Sequence, residues 1–191
     1  MPDFADFDRR RYRAVDVATG YDSWAPTYEQ TVLDDMDLAL LERLHRPPWD
    51  QVRRAADLGC GTGRTAAWLR ERSPATIDGI DLSEGMLARA RVRGIHASLT
   101  HGDVRATGLP GGSYDLVIAC LIDEHLPDLT PLYAEARRLA APGGVFVSVS
   151  YHPGWQLAEL TESAIDGTWI AAKPKWAHLR GHPFTMASVW V

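Results

Sequence analysis

The sequence predicts an α/β domain with a mostly parallel central sheet and helices on both faces. Two observations predict it. From residue 55 onward, short apolar runs alternate with segments of helical periodicity, the pattern of βαβ units. Glycines and acids cluster just after those apolar runs, at the carboxyl ends of the strands, where open parallel sheets bind ligands.

Length and charge agree with this. A chain of 191 residues, 46% hydrophobic and 24% charged, is long enough to bury one core and ordinary for a globular domain. A net charge of −5 gives no overall nucleic-acid footprint, so no nucleic-acid partner is expected. No apolar run is long enough to cross a bilayer, and the acidic start Met1–Asp6 lacks a secretory core. A cytoplasmic protein without membrane association is therefore expected. The two cysteines, Cys60 and Cys120, are placed near the ends of neighbouring strands as reduced, mostly buried thiols. His45, His96, His101, His178 and His182 show no ligand spacing, and no metal site is inferred.

Residues 1–30 are polar with interspersed aromatics, and acids flank the arginines Arg9–Arg11 and Arg13, which read as a solvated face. Leu33, Met36, Leu40, Leu41 and Leu44 recur at helical spacing, predicting a helix that ends before Pro47-Pro48. The first strand, Ala55–Leu58, runs into Asp57-Leu58-Gly59-Cys60-Gly61-Thr62-Gly63 and then a helix over Thr65–Arg72. Glycine accepts positive φ and lets a ligand approach the main chain, and the helix start offers unpaired N–H groups. Arg64 stands where a dinucleotide fingerprint needs a small residue, and no Gly-Lys-Ser/Thr of a phosphate loop follows.

Thr76–Asp81 reads as the second strand. Asp81 closes it roughly 20 residues past the glycines, the offset at which an acid reaches ribose hydroxyls. Ser83 is a natural N-cap for a helix running to Val92. A third strand ends in Gly102-Asp103, a fourth spans Ser113–Cys120, and a helix over Pro131–Leu139 leads through Pro142-Gly143-Gly144 into a fifth strand ending near Ser150.

Taken in order, these pieces resemble the class I S-adenosylmethionine-dependent methyltransferases. Asp57–Gly63 is similar to their first motif, Asp81-Leu82-Ser83 with Met86-Leu87 to the second, Gly102-Asp103 to the third, and Ser113–Cys120 to the fourth strand. The resemblance runs from about residue 20 to about residue 150 and points to the small-molecule group that includes the ubiquinone/menaquinone methyltransferases. It implies a Rossmann-like fold with a seven-stranded sheet, the sixth strand parallel to the fifth and the seventh antiparallel between them. It implies a single domain: a helical lid over 1–45, a cofactor-binding core over 50–150 and C-terminal strands over 154–191. It also implies S-adenosylmethionine as cofactor and S-adenosylhomocysteine as product.

Carried over by position, Gly59, Gly61 and Gly63 would meet the methionine part through the backbone, with Cys60 in the same loop. Asp57 would orient that loop or the amino group. Asp81, followed by Leu82, would take the ribose hydroxyls, and Asp103 with Val104 would clamp adenine. Met86 would line the adenine face or fill the core. Tyr21 and Tyr28, in the lid-like run Tyr21–Glu29, would bond the carboxylate, and Cys120 would end the fourth strand beside the cofactor.

The acceptor side is less determined. His125, in Leu121–Leu126, and His152, after the fifth strand, are general-base candidates because histidine titrates near neutral pH. Each also reads as a structural histidine, with Asp123 and Glu124 able to orient His125. The family's Asn/Asp-Pro-Pro-Tyr signature of amino methylation is absent, so a small molecule methylated at oxygen or carbon is expected. A cofactor-binding protein or cyclase of the same fold is the alternative. A nicotinamide oxidoreductase is opposed by Arg64.

Gly154–Leu160 reads as the sixth strand and Phe184–Val191 as the seventh. Only Tyr151-His152-Pro153 would then link the fifth and sixth, whereas a parallel crossover needs about a dozen residues. A segment missing between residues 153 and 154 is therefore expected. Trp155, Trp169, Trp176 and Trp190, with Lys173-Pro174-Lys175, would pack the final segment, wall a pocket or line a dimer contact. A monomer or homodimer is expected.

Overall fold

Parallel pairing of the apolar runs builds the sheet. The computed structural model describes residues 15–32, 36–150 and 185–190. Three short helices come first: α1 (Val17–Trp24), α2 (Tyr28–Thr31) and α3 (Met36–Leu41). Then follow β1 (Arg54–Leu58), α4 (Arg64–Arg70), β2 (Thr76–Asp81), α5 (Glu84–Arg93), β3 (Ser98–His101), β4 (Tyr114–Cys120), α6 (Thr130–Leu139), β5 (Ala140–Ser150) and β6 (Thr185–Trp190). The sheet order is β3-β2-β1-β4-β5-β6, with every neighbouring pair parallel. The chain moves outward from β1 to β3, then returns to place β4 on the other side of β1. That reversal opens a crevice above the carboxyl ends of β1 and β4.

Period-2 alternation divides the core into two layers. Ala55, Ile77, Leu116, Ile118 and Val147 face one layer with Leu41, Ala66, Trp68 and Leu69 from the helices. Ala56, Leu58, Ile80, Val117 and Phe146 face the other with Leu132, Ala136 and Leu139 of α6. Tyr114 joins this second layer although it is two residues from Leu116, because the β4–β5 register shifts between them. Local signals set the helix ends. The Ser83 hydroxyl accepts the Met86 N–H at 3.1 Å and starts α5, and Gly94, at φ 67°, closes it in the left-handed region.

The C-terminal strand differs from expectation. Residues 185–190 run parallel to β5, from Val145 opposite Thr185 to Ser150 opposite Trp190, and not antiparallel as a seventh strand would. The described residues form six strands. The link between β5 and β6 is residues 151–184, ample for a parallel crossover, so this pairing by itself requires no extra residues after Pro153. The sixth strand expected at Gly154–Leu160 lies outside the described residues, as do His152, Trp155, Trp169, Trp176, Lys173–Lys175, the arginines Arg9–Arg13 and Leu33. The leucine-spaced helix is also shorter than expected. It stops at Leu41, and Arg43 and Leu44 donate to Leu40 and Leu41 in tight turns.

Candidate functional site

The β1–α4 turn is bound to the end of β2. Gly59 and Cys60 both donate their N–H to Ile80 O, at 2.8 and 3.0 Å, and Gly61 donates to Asp81 Oδ2 at 2.7 Å. Gly59 and Gly61 have φ of 68° and 53°, in the region that favours glycine. A Cβ on Gly59 would strike the Ile122 side chain, whereas one on Gly61 would meet nothing within 4 Å. The loop therefore shows bare main chain to a cavity of about 530 Å³.

The strand ends converge on that cavity. Gly59–Thr62, Asp81, Leu82, Met86, Asp103, Val104 and Cys120 all line it. Asp81 is fixed by two backbone donors, Gly61 N and Ser83 N (2.8 Å to Oδ1); burial pushes its pKa up against these bonds. A carboxylate has about four acceptor positions, so two donors leave it capacity for ribose hydroxyls. Asp103 is held by Arg105, whose Nε lies 2.9 and 3.0 Å from its two oxygens and whose Nη2 lies 2.6 Å from Oδ2. These bonds hold its pKa below the usual carboxylate range. Met86 is both a core residue, 1% exposed, and part of the wall, while Leu82 stands on the rim. Burial raises the pKa of both wall cysteines, and the Asp57 charge adds to it, so each carries a neutral thiol and not a nucleophilic thiolate.

Two expected contact residues stand behind the wall. Asp57 is buried and meets His96 Nε2 at 3.2 Å, in a pair whose side chains are both sealed from solvent. Gly63, at φ 84°, begins α4, and a Cβ there would press on His96 Cε1 at 3.1 Å and Arg93 Cδ at 3.3 Å. Close packing of α4 on α5 explains this glycine. His96, given no role from the sequence, ties the two together.

The N-terminal helices roof the cavity. Val17, Ala18, Tyr21, Trp24 and Tyr28 line it from that side. Tyr21, Trp24 and Tyr28 form a ring cluster with centroids 4.8–6.4 Å apart. The Tyr21 hydroxyl, expected on a cofactor carboxylate, lies 2.8 Å from His125 Nε2, and the two rings meet edge to face. Burial lowers the His125 pKa, which favours the neutral ring. Beside it, Glu124 Oε1 is 3.9 Å from His125 Nε2. Burial first, then the Asp123 neighbour, pushes Glu124 up to about 7. Glu124 is a wall residue that the sequence offered only as a possible orienter of His125.

The roof docks on one face of α5. Asp22 Oδ1 accepts from Ser83 Oγ at 2.5 Å and Gly85 N at 2.8 Å, Arg89 Nη2 donates to Pro26 O at 2.8 Å, and Arg93 pairs with Glu29. Residues 85, 89 and 93 are four apart and so share a helix face. Arg93 also donates through Nε to Thr62 O at 2.9 Å, linking roof and glycine loop. Gly85 permits the close approach, because a Cβ there would meet Ala25 Cβ at 3.1 Å and Asp22 Cα at 3.2 Å.

Residues 56–148 match the family model described as a methyltransferase domain. The chain is 34% identical over 161 residues to the trans-aconitate 2-methyltransferase of Methylobacterium radiotolerans, covering 84% of this chain and 60% of the relative. Its fold matches the S-adenosylmethionine-dependent methyltransferase of Mesorhizobium loti (TM-score 0.54, 35% identity, 61% of this chain and 52% of that one). It also matches DhpI in complex with SAH (TM-score 0.61, 25% identity, 72% and 69%). Over residues 56–148 the chain is similar to the methyltransferase domain. It spans 44–60% of the length of the first curated relatives it matches. A methyltransferase-like fold accounts for the bare glycine loop. Among the described residues no group of histidines, cysteines and acids has metal-site geometry, and no helix is long and apolar enough to cross a membrane.

Two outcomes follow from this geometry. Gly85→Ala sets a methyl group against Ala25 and Asp22, and should raise the dissociation rate of S-adenosylhomocysteine about tenfold in stopped-flow measurements, a change of about 1.4 kcal/mol. Glu124 is raised from 4.5 to about 7 in the folded state, so the fold binds a proton more tightly than the unfolded chain does. The stability this gives is present below about pH 4.5 and is lost as pH rises through about 7. Glu124→Gln should therefore show a smaller fall in melting temperature between pH 5 and pH 8 than the parent, by differential scanning fluorimetry.

Proposed function

We propose that the chain transfers the activated methyl group of S-adenosylmethionine to an oxygen or carbon of a small molecule. One observation carries the reading: the glycine loop, Asp81 and Asp103-Val104 open on the same cavity as His125 and Glu124. The cofactor supplies a methyl group already activated by the sulfonium, so the protein has mainly to hold donor and acceptor in line and exclude water. Asp81 takes the ribose hydroxyls, Asp103 and Val104 bracket adenine, and the Gly61 backbone lies against the methionine part. Tyr21, Trp24 and Tyr28 shield the site from solvent. The relatives named for trans-aconitate support a small-molecule acceptor.

His125 serves as the acceptor-side base. With its proton on Nδ1, the neutral ring accepts at Nε2 from the Tyr21 hydroxyl 2.8 Å away, so a proton leaving the acceptor passes to Tyr21 while Tyr21 gives its own to Nε2. Glu124, close by and titrating near neutrality, stabilises the imidazolium that results. His152, the other base candidate, lies outside the described residues. The two free cysteines and the lack of a long apolar helix among the described residues support a cytoplasmic setting.

Isothermal calorimetry with S-adenosylmethionine and mass spectrometry of small acids and phenols test the proposal together. His125→Gln should lower kcat about 10²-fold or more while leaving the cofactor Kd within about twofold, and should remove the acid limb of the pH–rate profile. An unchanged kcat would return His125 to a structural role, and no cofactor binding by the parent chain would end the functional reading.

A further inference from the structure

Beyond the glycine loop and the acids at the strand ends, the cavity continues between α1 and the segment after β4. Val17 and Ala18 stand four and three residues before Tyr21, so the three share one face of α1, and all line the cavity. Ile122 and Leu126 line it from the side of β4, together with Glu124 and His125. This part of the wall is apolar and aromatic, with one hydrogen-bonded pair, Tyr21 and His125, set in it.

Its charge is negative. The arginines lining the cavity among the described residues are Arg64 and Arg105, and both stand with the cofactor residues. Arg64 directly follows the glycine loop and is 2.6 Å from Asp37 Oδ2, and Arg105 is bonded to Asp103. On the α1 side the charged wall residue is Asp16, the N-cap of α1, kept ionised by its bonds from the Thr19 N–H and hydroxyl. After β4 it is Glu124, which burial pushes up to about 7, so that at pH 8 it is a carboxylate. Burial favours the neutral His125 ring, which therefore offers an anion no charge. An anionic acceptor would meet like charge on both sides.

The polarity of the Tyr21–His125 bond adds a second selection. The Tyr21 hydroxyl has one proton, which goes to His125 Nε2, so toward any other group this hydroxyl accepts. A carboxylate has acceptors only and finds no donor in the pair, whereas a hydroxyl compound donates to it.

We infer that the methyl acceptor is an uncharged phenol, whose O–H donates to Tyr21 and whose ring lies between Val17 and Ala18 of α1 and Ile122 and Leu126 after β4. Phenol and Tyr21 are the same functional group, with an ordinary pKa of about 10, so a proton moves between them on nearly level ground. The phenolic proton passes to Tyr21 as Tyr21 gives its own to His125 Nε2. An electron pair of the phenolic oxygen forms the new C–O bond to the methyl group, and the C–S bond breaks with its pair kept by sulfur. The products are an aryl methyl ether and S-adenosylhomocysteine, with the proton on His125.

This inference rests on the proposed methyltransferase reading, and calorimetry at pH 8 on the full chain saturated with S-adenosylhomocysteine separates the two. The probes are 4-ethylphenol, 4-ethylbenzoate, which keeps the same ring and ethyl group, and trans-aconitate, a tricarboxylate. The phenol should bind at least about tenfold tighter than either acid. A smaller preference, or no binding of the phenol, overturns the inference and leaves the cofactor reading standing. Failure to bind S-adenosylhomocysteine overturns both. Glu124→Gln should tighten 4-ethylbenzoate about fivefold and leave 4-ethylphenol within about twofold. An equal change for both ligands, or a change for neither, overturns the inference.

Discussion

Three backbone N–H groups of the β1–α4 turn, all donated to the end of β2, set the site. Gly59 and Cys60 share the Ile80 carbonyl, and Gly61 takes the Asp81 carboxylate. The loop cannot move without moving the acid, and the acid is also fastened to Ser83 at the start of α5. One interaction thus aligns the main chain proposed to face the methionine part, the carboxylate proposed to face the ribose, and the helix on which the roof rests. Burial works against the ionised form of Asp81, so its two backbone donors are what keep it useful as an acceptor.

The roof depends on that alignment. Asp22 reaches the same α5 N-terminus that Asp81 holds, and Arg93 at the other end of the helix grips both Glu29 and the Thr62 carbonyl. The Arg93–Glu29 pair is partly exposed and screened by solvent, so it adds little by itself. The buried Ala25 against Gly85 and the charge-assisted bonds of Asp22 hold the contact. Tyr21 is thereby delivered to His125, joining the roof to the segment after β4.

Much of this was legible in the sequence, because it is local. Strand alternation, the three glycines, the Ser83 cap and the acid closing β2 are each written within a few residues, and the parallel sheet and its crevice follow from them. What the sequence did not disclose depends on distant residues. Tyr21 and His125 are 104 positions apart, and nothing in either neighbourhood signals the other. Asp57, expected from its place before the glycines to orient the loop or the amino group, has its side chain paired with His96, 39 residues on. Asp37 lies in a short helix without a motif, and only the fold sets it beside Arg64. The parallel direction of β6 is not legible in the sequence for a similar reason: a strand's apolar pattern is the same whichever way it runs, and its connection decides its sense.

The central claim is that the turn held by β2 and the two acids beyond β2 and β3 share one nucleoside. A crystal structure of the chain with S-adenosylhomocysteine tests it most directly. The account predicts both ribose hydroxyls within hydrogen-bond reach of Asp81 and adenine beside Asp103 and Val104. A nucleoside bound elsewhere, or one whose ribose leaves Asp81 bonded only to Gly61 and Ser83, would contradict it.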